Sequence, residues 1–222
     1  MKYDIIFISY SEPNADENFN KLKARFPYAQ RVSGVTGIHQ AHIAAARKAF
    51  TKMFWVVDGD AVIVDTFNFN YVVSKYDLEC VHVWRSQNPV NGLEYGYGGV
   101  KLLPKKLTMT MDLARPDMTT SISPLFKAME EISNITAFNT DPFNSWKSAF
   151  RECCKLSSRV IDRQDDTETQ QRLNTWCTVG TDIDVLAGAI AGRKYGEENK
   201  LDVEALKKIN NFKWLEEQFY GR

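Results

Sequence analysis

Residues 54–65 read Phe-Trp-Val-Val-Asp-Gly-Asp-Ala-Val-Ile-Val-Asp. An apolar run of this kind forms a buried strand, so the carboxylates that follow it, Asp58 and Asp60, must sit at its exposed end. Two ionised carboxylates converging there repel unless something cationic lies between them. A divalent metal with hard oxygen ligands, Mg²⁺ or Mn²⁺, resolves that conflict and bridges to substrate phosphates. The plainer alternative is that Asp-Gly marks a tight turn, although an ordinary turn has no need of the second aspartate.

The segments before this strand set the architecture. Residues 3–10 read as a first buried strand, and a helix follows from about Asp16 to Arg25, with Asp16 or Asn14 as its cap. Arg31-Val32 makes a short second strand, Gly34 to Gly37 a loop, and His39 to Phe50 an Ala-rich helix leading into the strand at 53–57. Strand, helix, strand, helix, strand predicts an α/β fold with a mostly parallel central sheet. Ligands of such sheets bind beyond the carboxyl ends of the strands, where Ser9, Glu12, Asp58 and Asp60 fall. Further on, Val81 to Trp84 reads as a strand, 89–100 as a glycine-rich loop, and 123–133, 144–158 and 203–219 as helices. No repeat, low-complexity tract or Pro/Gly-rich linker divides the chain, which is expected to be one domain over 1–222.

Composition excludes several classes. With 44% apolar and 25% charged residues among 222, the chain is not largely disordered and is long enough to bury a full core. Its 28 basic and 28 acidic residues cancel, so no global field draws it to nucleic acid or membrane and any polyanion site must be local. The apolar stretches near 5–8, 54–57 and 61–64 are far too short to span a bilayer. Met-Lys-Tyr-Asp lacks the start of a signal peptide. Cys80, Cys153, Cys154 and Cys177 lack paired metal spacing and read as reduced thiols, so a cytoplasmic protein is expected.

Other constellations each carry two readings. Gly96, Gly98 and Gly99 lack the spacing of a dinucleotide fingerprint and precede a strand rather than a helix; they form either a plain β-turn or a place where backbone approaches a sugar or diphosphate. Of the histidines, His39 is assigned to nucleotide contact, while His42 and His82 are assigned to packing. Lys147, Arg151, Lys155 and Arg159 recur every four residues and so form one cationic stripe. Like charges at this spacing disfavour a helix by about 0.2–0.5 kcal/mol per pair, a cost that a phosphate partner reverses; the alternative is a solvated face partly balanced by Glu152. Lys101, Lys105 and Lys106 form a second candidate patch. Glu94, Asp117 and Glu152 are carboxylates able to serve as a base.

Several stretches resemble a group of glycosyltransferases of T4-like and other tailed phages: Phe-Ile-Ser-Tyr-Ser-Glu-Pro-Asn-Ala-Asp-Glu-Asn (7–18), Gly-Ile-His-Gln-Ala-His (37–42), Phe-Trp-Val-Val-Asp-Gly-Asp (54–60), Asn-Pro-Val-Asn-Gly-Leu-Glu-Tyr-Gly-Tyr-Gly-Gly-Val-Lys (88–101) and Ser-Ala-Phe-Arg-Glu (148–152). The likeness covers roughly residues 3–180. It implies a GT-A-type, Rossmann-like nucleotide-sugar-binding fold, with 1–100 holding the nucleotide sugar and 101–222 the acceptor and the C-terminal helices. It also implies transfer of a sugar, arabinose in the most similar members, from a UDP-sugar to 5-hydroxymethylcytosine in phage DNA, with Mn²⁺ or Mg²⁺. By this resemblance Asp60 ligates the metal and Asp58 contacts the ribose or the metal's water shell. Ser9, Tyr10, Glu12, His39, Gly59 and Arg85 are expected around the donor, with Trp84 or Tyr97 stacking on a ring. Glu94, ahead of Asp117, is the expected base of an inverting mechanism, and the Lys147–Arg159 stripe the expected DNA contact.

Two other readings stay open. Asp58-x-Asp60-x-Val62 fits the start of a haloacid-dehalogenase-like phosphatase with Asp58 as nucleophile, and Gly180-Thr181-Asp182-Ile183-Asp184 imitates the later acidic motif of those enzymes. A non-catalytic nucleotide- or DNA-binding module is the third.

Overall fold

The alternating segments of the amino-terminal quarter fold as β1 (Asp4–Ser9), α1 (Ala15–Arg25), β2 (Gln30–Ser33), α2 (Ile38–Lys48) and β3 (Met53–Asp58). This computed structural model describes residues 2–160 and 166–222. β1 pairs in parallel with both β2 and β3. Side chains alternate across these strands: Phe7, Trp55 and Val57 enter one core with Phe67, Phe69 and Trp84, while Ile6, Ile8, Phe54 and Val56 enter another with Ala45 and Ala46 of α2. Both faces are covered, which is why the strands are apolar at consecutive positions. Asn14 stands at the start of α1, but its amide donates to the Ala137 carbonyl (2.9 Å) and makes no cap.

The rest of the sheet changes its character. β4 (Ala61–Ile63), β5 (Val81–Gln87), β6 (Glu94–Tyr95) and β7 (Val100–Pro104) are followed by the short helices α3 (Lys105–Met109) and α4 (Met118–Ile122) and by β8 (Phe126–Thr136). The strand order is β2-β1-β3-β7-β5-β8-β4, with β6 on β5. β7 runs antiparallel to β3 and β5, as do β4 to β8 and β6 to β5, so among the described residues only β1–β2, β1–β3 and β5–β8 are parallel. The fold is α/β, but the sheet is mixed rather than mostly parallel. The physical reason lies in β7, which enters beside β3 at the edge where β3 ends and can only run back along it.

A second correction concerns 123–133, expected as a helix. Ala128, Met129, Glu130 and Glu131 favour helix locally, yet pairing with β5 from Val81–Phe126 to Gln87–Ile135 draws the segment into the sheet. Shifts of register on either side of Arg85 take up the extra residues of β8.

Two compact units divide the chain. The first holds the sheet: described residues up to Asn88, with Glu94–Leu113 and Met118–Ala137. The second takes Pro89–Leu93, Ala114–Asp117 and the described residues of 138–222. It is built from α5 (Pro142–Ser158), α6 (Asp166–Thr178), α7 (Ile183–Glu198), α8 (Val203–Lys207), a 3₁₀ turn (Lys208–Asn210) and α9 (Phe212–Tyr220). α5 starts at Asp141, whose carboxylate accepts from the Asn144 N–H at 2.9 Å, with Pro142 in the first turn. α7 sets Gly188, Gly192 and Gly196 against α5, and a Cβ on any of them would overlap α5 backbone at Trp146, Phe150 or Cys154. The helix expected over 203–219 breaks at Asn210-Asn211, where Asn211 accepts from the Trp214 N–H (3.2 Å) and starts α9. Among the described residues no helix is long and apolar enough to cross a membrane, and the four cysteines are free thiols.

Candidate functional site

β1 and β3 end side by side, Ile8 opposite Asp58, and Ser9 lies opposite Ser33 of β2. The chain leaving β1 brings Glu12 against the turn after β3. Its Oε2 accepts from the Tyr10 N–H at 2.8 Å, and a Cβ on Gly59 would lie 2.7 Å from the same oxygen. A side chain between the two aspartates would push the Glu12 carboxylate from its place and crowd the Ile8 carbonyl. The buried Asn18 of α1 donates to the Gly59 carbonyl (2.9 Å), and the Ala137 N–H donates to the Asp60 carbonyl (2.7 Å). The Asp-Gly-Asp turn is thus pinned through its backbone, which leaves its two side chains for other partners.

Three carboxylates gather at this edge, and Asp60 responds most clearly. Enclosure, followed by the charges of Asp58 and Glu12, pushes its pKa up to about 7. The counter-charge is Lys101 of β7. Its Nζ donates to Asp58 Oδ1 and Oδ2, both at 2.8 Å, and to the Gly98 carbonyl. Those three acceptors use all the protons of an ammonium. The Lys101 side chain is only 3% exposed, against 30% for Asp58. The repulsion inferred from sequence is therefore answered in part by a lysine already in the fold. Lys101, Lys105 and Lys106 do not make a surface patch, since Lys101 is buried on Asp58 and Lys105 donates to the Ala49 carbonyl (2.6 Å).

The glycine loop belongs to this same edge. The Asp58 N–H donates to the Gly99 carbonyl at 2.9 Å. Gly98 has φ +105°, and a Cβ on Gly99 would stand 2.6 Å from Asn134 Oδ1. Asn134 is buried and cannot yield easily: Ser86 and Ser133 hydroxyls donate to its oxygen (both 2.9 Å), and its amide donates to Thr136 Oγ1 (3.1 Å). Gly98 is required by its positive φ and Gly99 by close packing on Asn134, more than a plain turn demands.

The remaining expected residues are distributed as follows. Ser9 is buried and its Oγ accepts from Arg31 Nε at 2.8 Å, while Tyr10 is exposed. His39 Nε2 lies 3.1 Å from Ser121 Oγ. His42 is fully enclosed; burial, then the Lys101 charge, holds its pKa well below the usual imidazole value, and its Nδ1 bonds the Ile38 carbonyl (2.8 Å). His82 is buried on β5 with Nδ1 on the Cys80 carbonyl (3.1 Å), and burial lowers its pKa too. Trp84 cannot stack on a sugar, because its ring is in the core against Trp55, Phe67 and Tyr71. Tyr97 is half-buried, its ring 4.8 Å from that of Tyr95. Arg85 is exposed on β5, and Glu94 is exposed on β6 with Gln87 Nε2 at 3.4 Å.

The second unit contains Asp117 and the four cations of the stripe. Asp117 is buried with Lys155 Nζ at 4.0 Å, and Glu152 is buried on α5. Lys147 is buried, donates to Asn144 Oδ1 (2.5 Å) and lies over the Phe143 and Phe212 rings. Arg151 donates to the Ile209 carbonyl (2.9 Å) and to Asn210 Oδ1 (3.1 Å). Arg159 lies beyond the helix in the left-handed conformation that ends it, paired with Asp166 at 2.8 Å. These cations are not one solvent-facing stripe: Lys147 is buried and Arg151 is turned onto Ile209 and Asn210, and acceptors within the unit offset part of the like-charge cost. Asp182, read as part of a later acidic motif, caps α7 through the Asp184 and Val185 N–H groups and accepts from Ser145 Oγ (3.0 Å).

Lys101 is the residue that sequence reasoning placed wrongly. A single lysine inside Val-Lys-Leu-Leu was its signal, since a cation amid core residues needs an anion nearby. Among the described residues no three His, Cys, Asp or Glu side chains are arranged to hold a metal by themselves. The carboxylates at this edge are hard oxygen donors suited to one or two contacts, with substrate phosphates and water completing the shell. A scan of the chain against protein-family models matches none, and no curated protein matches its sequence.

Proposed function

We propose that the chain is a metal-dependent glycosyltransferase that moves a sugar from a UDP-sugar to an acceptor hydroxyl. One observation carries this reading: Glu12, Asp58 and Asp60 converge at the carboxyl edge of the parallel β1–β3 pair, directly beside a tightly packed glycine loop. That is the edge where nucleotides bind in open α/β sheets. The donor's diphosphate faces the carboxylates, and the glycine backbone lets its sugar approach.

Tyr10, exposed at the end of β1, lines the nucleoside, while Ser9, buried with its hydroxyl on Arg31, supports the end of the strand. Asp60 and Glu12 would hold the metal, and Asp58, fixed by Lys101, keeps its place beside them. When bound, Mn²⁺ or Mg²⁺ supplies a Lewis acid for the negative charge that develops on the leaving diphosphate. Glu94, exposed beside Gln87, is the group we assign to deprotonation of the acceptor hydroxyl. The resemblance to phage enzymes points to hydroxymethylated DNA as acceptor and to a pentose such as arabinose as the transferred sugar.

Incubating the protein with a panel of UDP-sugars, Mn²⁺ and 5-hydroxymethylcytosine-containing DNA tests the whole reading. Mass spectrometry of the nucleosides is expected to show one glycosylated product, with UDP released and both lost in chelator. Absence of UDP release with every donor sinks the transferase, and phosphate release from a model ester would favour the phosphatase. Glu94→Gln is expected to slow transfer without weakening UDP; an unaffected rate removes Glu94 from the mechanism.

A further inference from the structure

We propose that Lys101 is a positioning residue of the donor site: one buried ammonium locks Asp58 and the glycine loop into a single arrangement. The inference rests on the glycosyltransferase reading above and assigns Lys101 a role within it.

Lys101 stands in the middle strand of three, opposite Val56 of β3 and Val83 of β5. Its side chain emerges on the face lined by those valines, beneath α2. Nothing about the core asks for a charge there. Burying an ammonium is costly, and an apolar residue of similar volume is often as stabilising as a buried pair. Nor does Asp58 need the lysine, because its side chain is 30% exposed and water can solvate it. A purely structural account thus leaves Lys101 as a cost without a return.

Geometry supplies the return. Two of the three donors of Lys101 hold both oxygens of Asp58 and the third holds the Gly98 carbonyl, while the Gly99 carbonyl accepts from the Asp58 N–H. Asp58 therefore cannot change rotamer, and the loop cannot shift, without breaking the same set of bonds. Without the lysine, Asp58 would be free to turn away from the loop that Lys101 ties it to.

Calorimetric titration of UDP in saturating Mn²⁺ into wild type, Lys101→Met, Asp58→Asn and the double variant tests this. Circular dichroism first establishes that each is folded. Lys101→Met is expected to bind UDP about 10- to 100-fold more weakly, as for partners that orient metal-site ligands. Because Lys101 acts through Asp58, adding Lys101→Met to Asp58→Asn is expected to weaken binding by no more than about threefold further, the non-additivity of coupled sites. Binding by Lys101→Met within about twofold of wild type overturns the proposal. So do losses that simply multiply in the double variant. If Lys101→Met does not fold, Lys101→Gln, which keeps a polar group near Asp58 without the charge, takes its place in the cycle with the same twofold and threefold criteria. Failure of wild type to bind UDP with Mn²⁺ overturns the underlying reading, and this proposal with it. That result is distinct from a wild type that binds and a Lys101→Met that binds equally well.

Discussion

Replacing Asp60 by Asn separates the site's chemistry from the fold's stability. The Asp60 carboxyl has an ordinary value of 3.8 and is pushed up to about 7 in the folded chain, first by enclosure and then by Asp58 and Glu12. The folded state binds this proton more tightly than the unfolded state. The resulting stabilisation is fully present below about pH 4 and is lost as pH rises through about 7. Roughly two-thirds of it disappears between about pH 5 and pH 8.5; at about 1.36 kcal/mol for each tenfold difference in proton affinity, that loss is on the order of 3 kcal/mol. Asn keeps the shape and carries no ionisation, so the variant escapes this loss. Melting in chelator should therefore show the Tm of Asp60→Asn rising relative to wild type as pH goes from about 5 to about 8.5. For a chain of this size 1 kcal/mol is worth roughly 2–4 °C, so the relative gain is roughly 6–12 °C. The same variant should lose Mn²⁺-dependent binding of UDP, a trade of function against stability. A Tm difference that stays flat across that pH range would refute the reasoning, because it would mean that the fold does not disfavour the Asp60 charge.

Three further outcomes follow from the second unit and the thiols. Gly192→Ala forces a methyl into α5 backbone at Phe150, so urea denaturation should show a loss of about 1–3 kcal/mol; an unchanged midpoint would mean that the helices do not approach this closely. Cys177 is half-buried with its thiol lowered to about 7 by the Cys153 thiol and Arg193, whereas Cys153 and Cys154 are buried and raised. Iodoacetamide at pH 7.5 should therefore alkylate Cys177 first, more slowly as pH falls below about 7, and peptide mass spectrometry showing equal labelling of all three would contradict this. Arg151→Glu breaks the bonds to Ile209 and Asn210 and should lower Tm; a selective loss of DNA binding with unchanged Tm would instead restore Arg151 as a phosphate contact.

Where local pattern and tertiary demand agreed, the sequence was readable. β1, α1, α2 and β3 each carry a single unambiguous periodicity, and their boundaries came within about two residues, the usual error of such boundaries. The segment 126–136 was not readable because Lys-Ala-Met-Glu-Glu is locally helical, and only the distant partner β5 decides against it. The direction of β7 was hidden for a related reason: a five-residue apolar strand carries no mark of the way it runs. α7 was missed because its apolar periodicity is blurred by three glycines whose purpose, closing on α5, appears only when the two helices are side by side.

The acidic edge shows the same limit from the chemical side. Asp58 and Asp60 were legible because a strand that ends in two carboxylates is a local statement. What sequence could not supply was which cation answers them, since Lys101 is 43 residues from Asp58 in the chain and adjacent to it only through the antiparallel return of β7. Counting charges by type put Lys101 with Lys105 and Lys106 as a surface patch, and Lys147 with Arg151 as a stripe. For Lys101 the better guide was its place between two apolar neighbours, Val100 and Leu102. A lysine so placed must be led to an acceptor inside the fold, and its partner tells more about function than its contribution to net charge. For Lys147 that partner is an asparagine of its own helix and two aromatic rings, which makes it structural. For Lys101 it is the carboxylate at the tip of β3, which draws a core residue into the site.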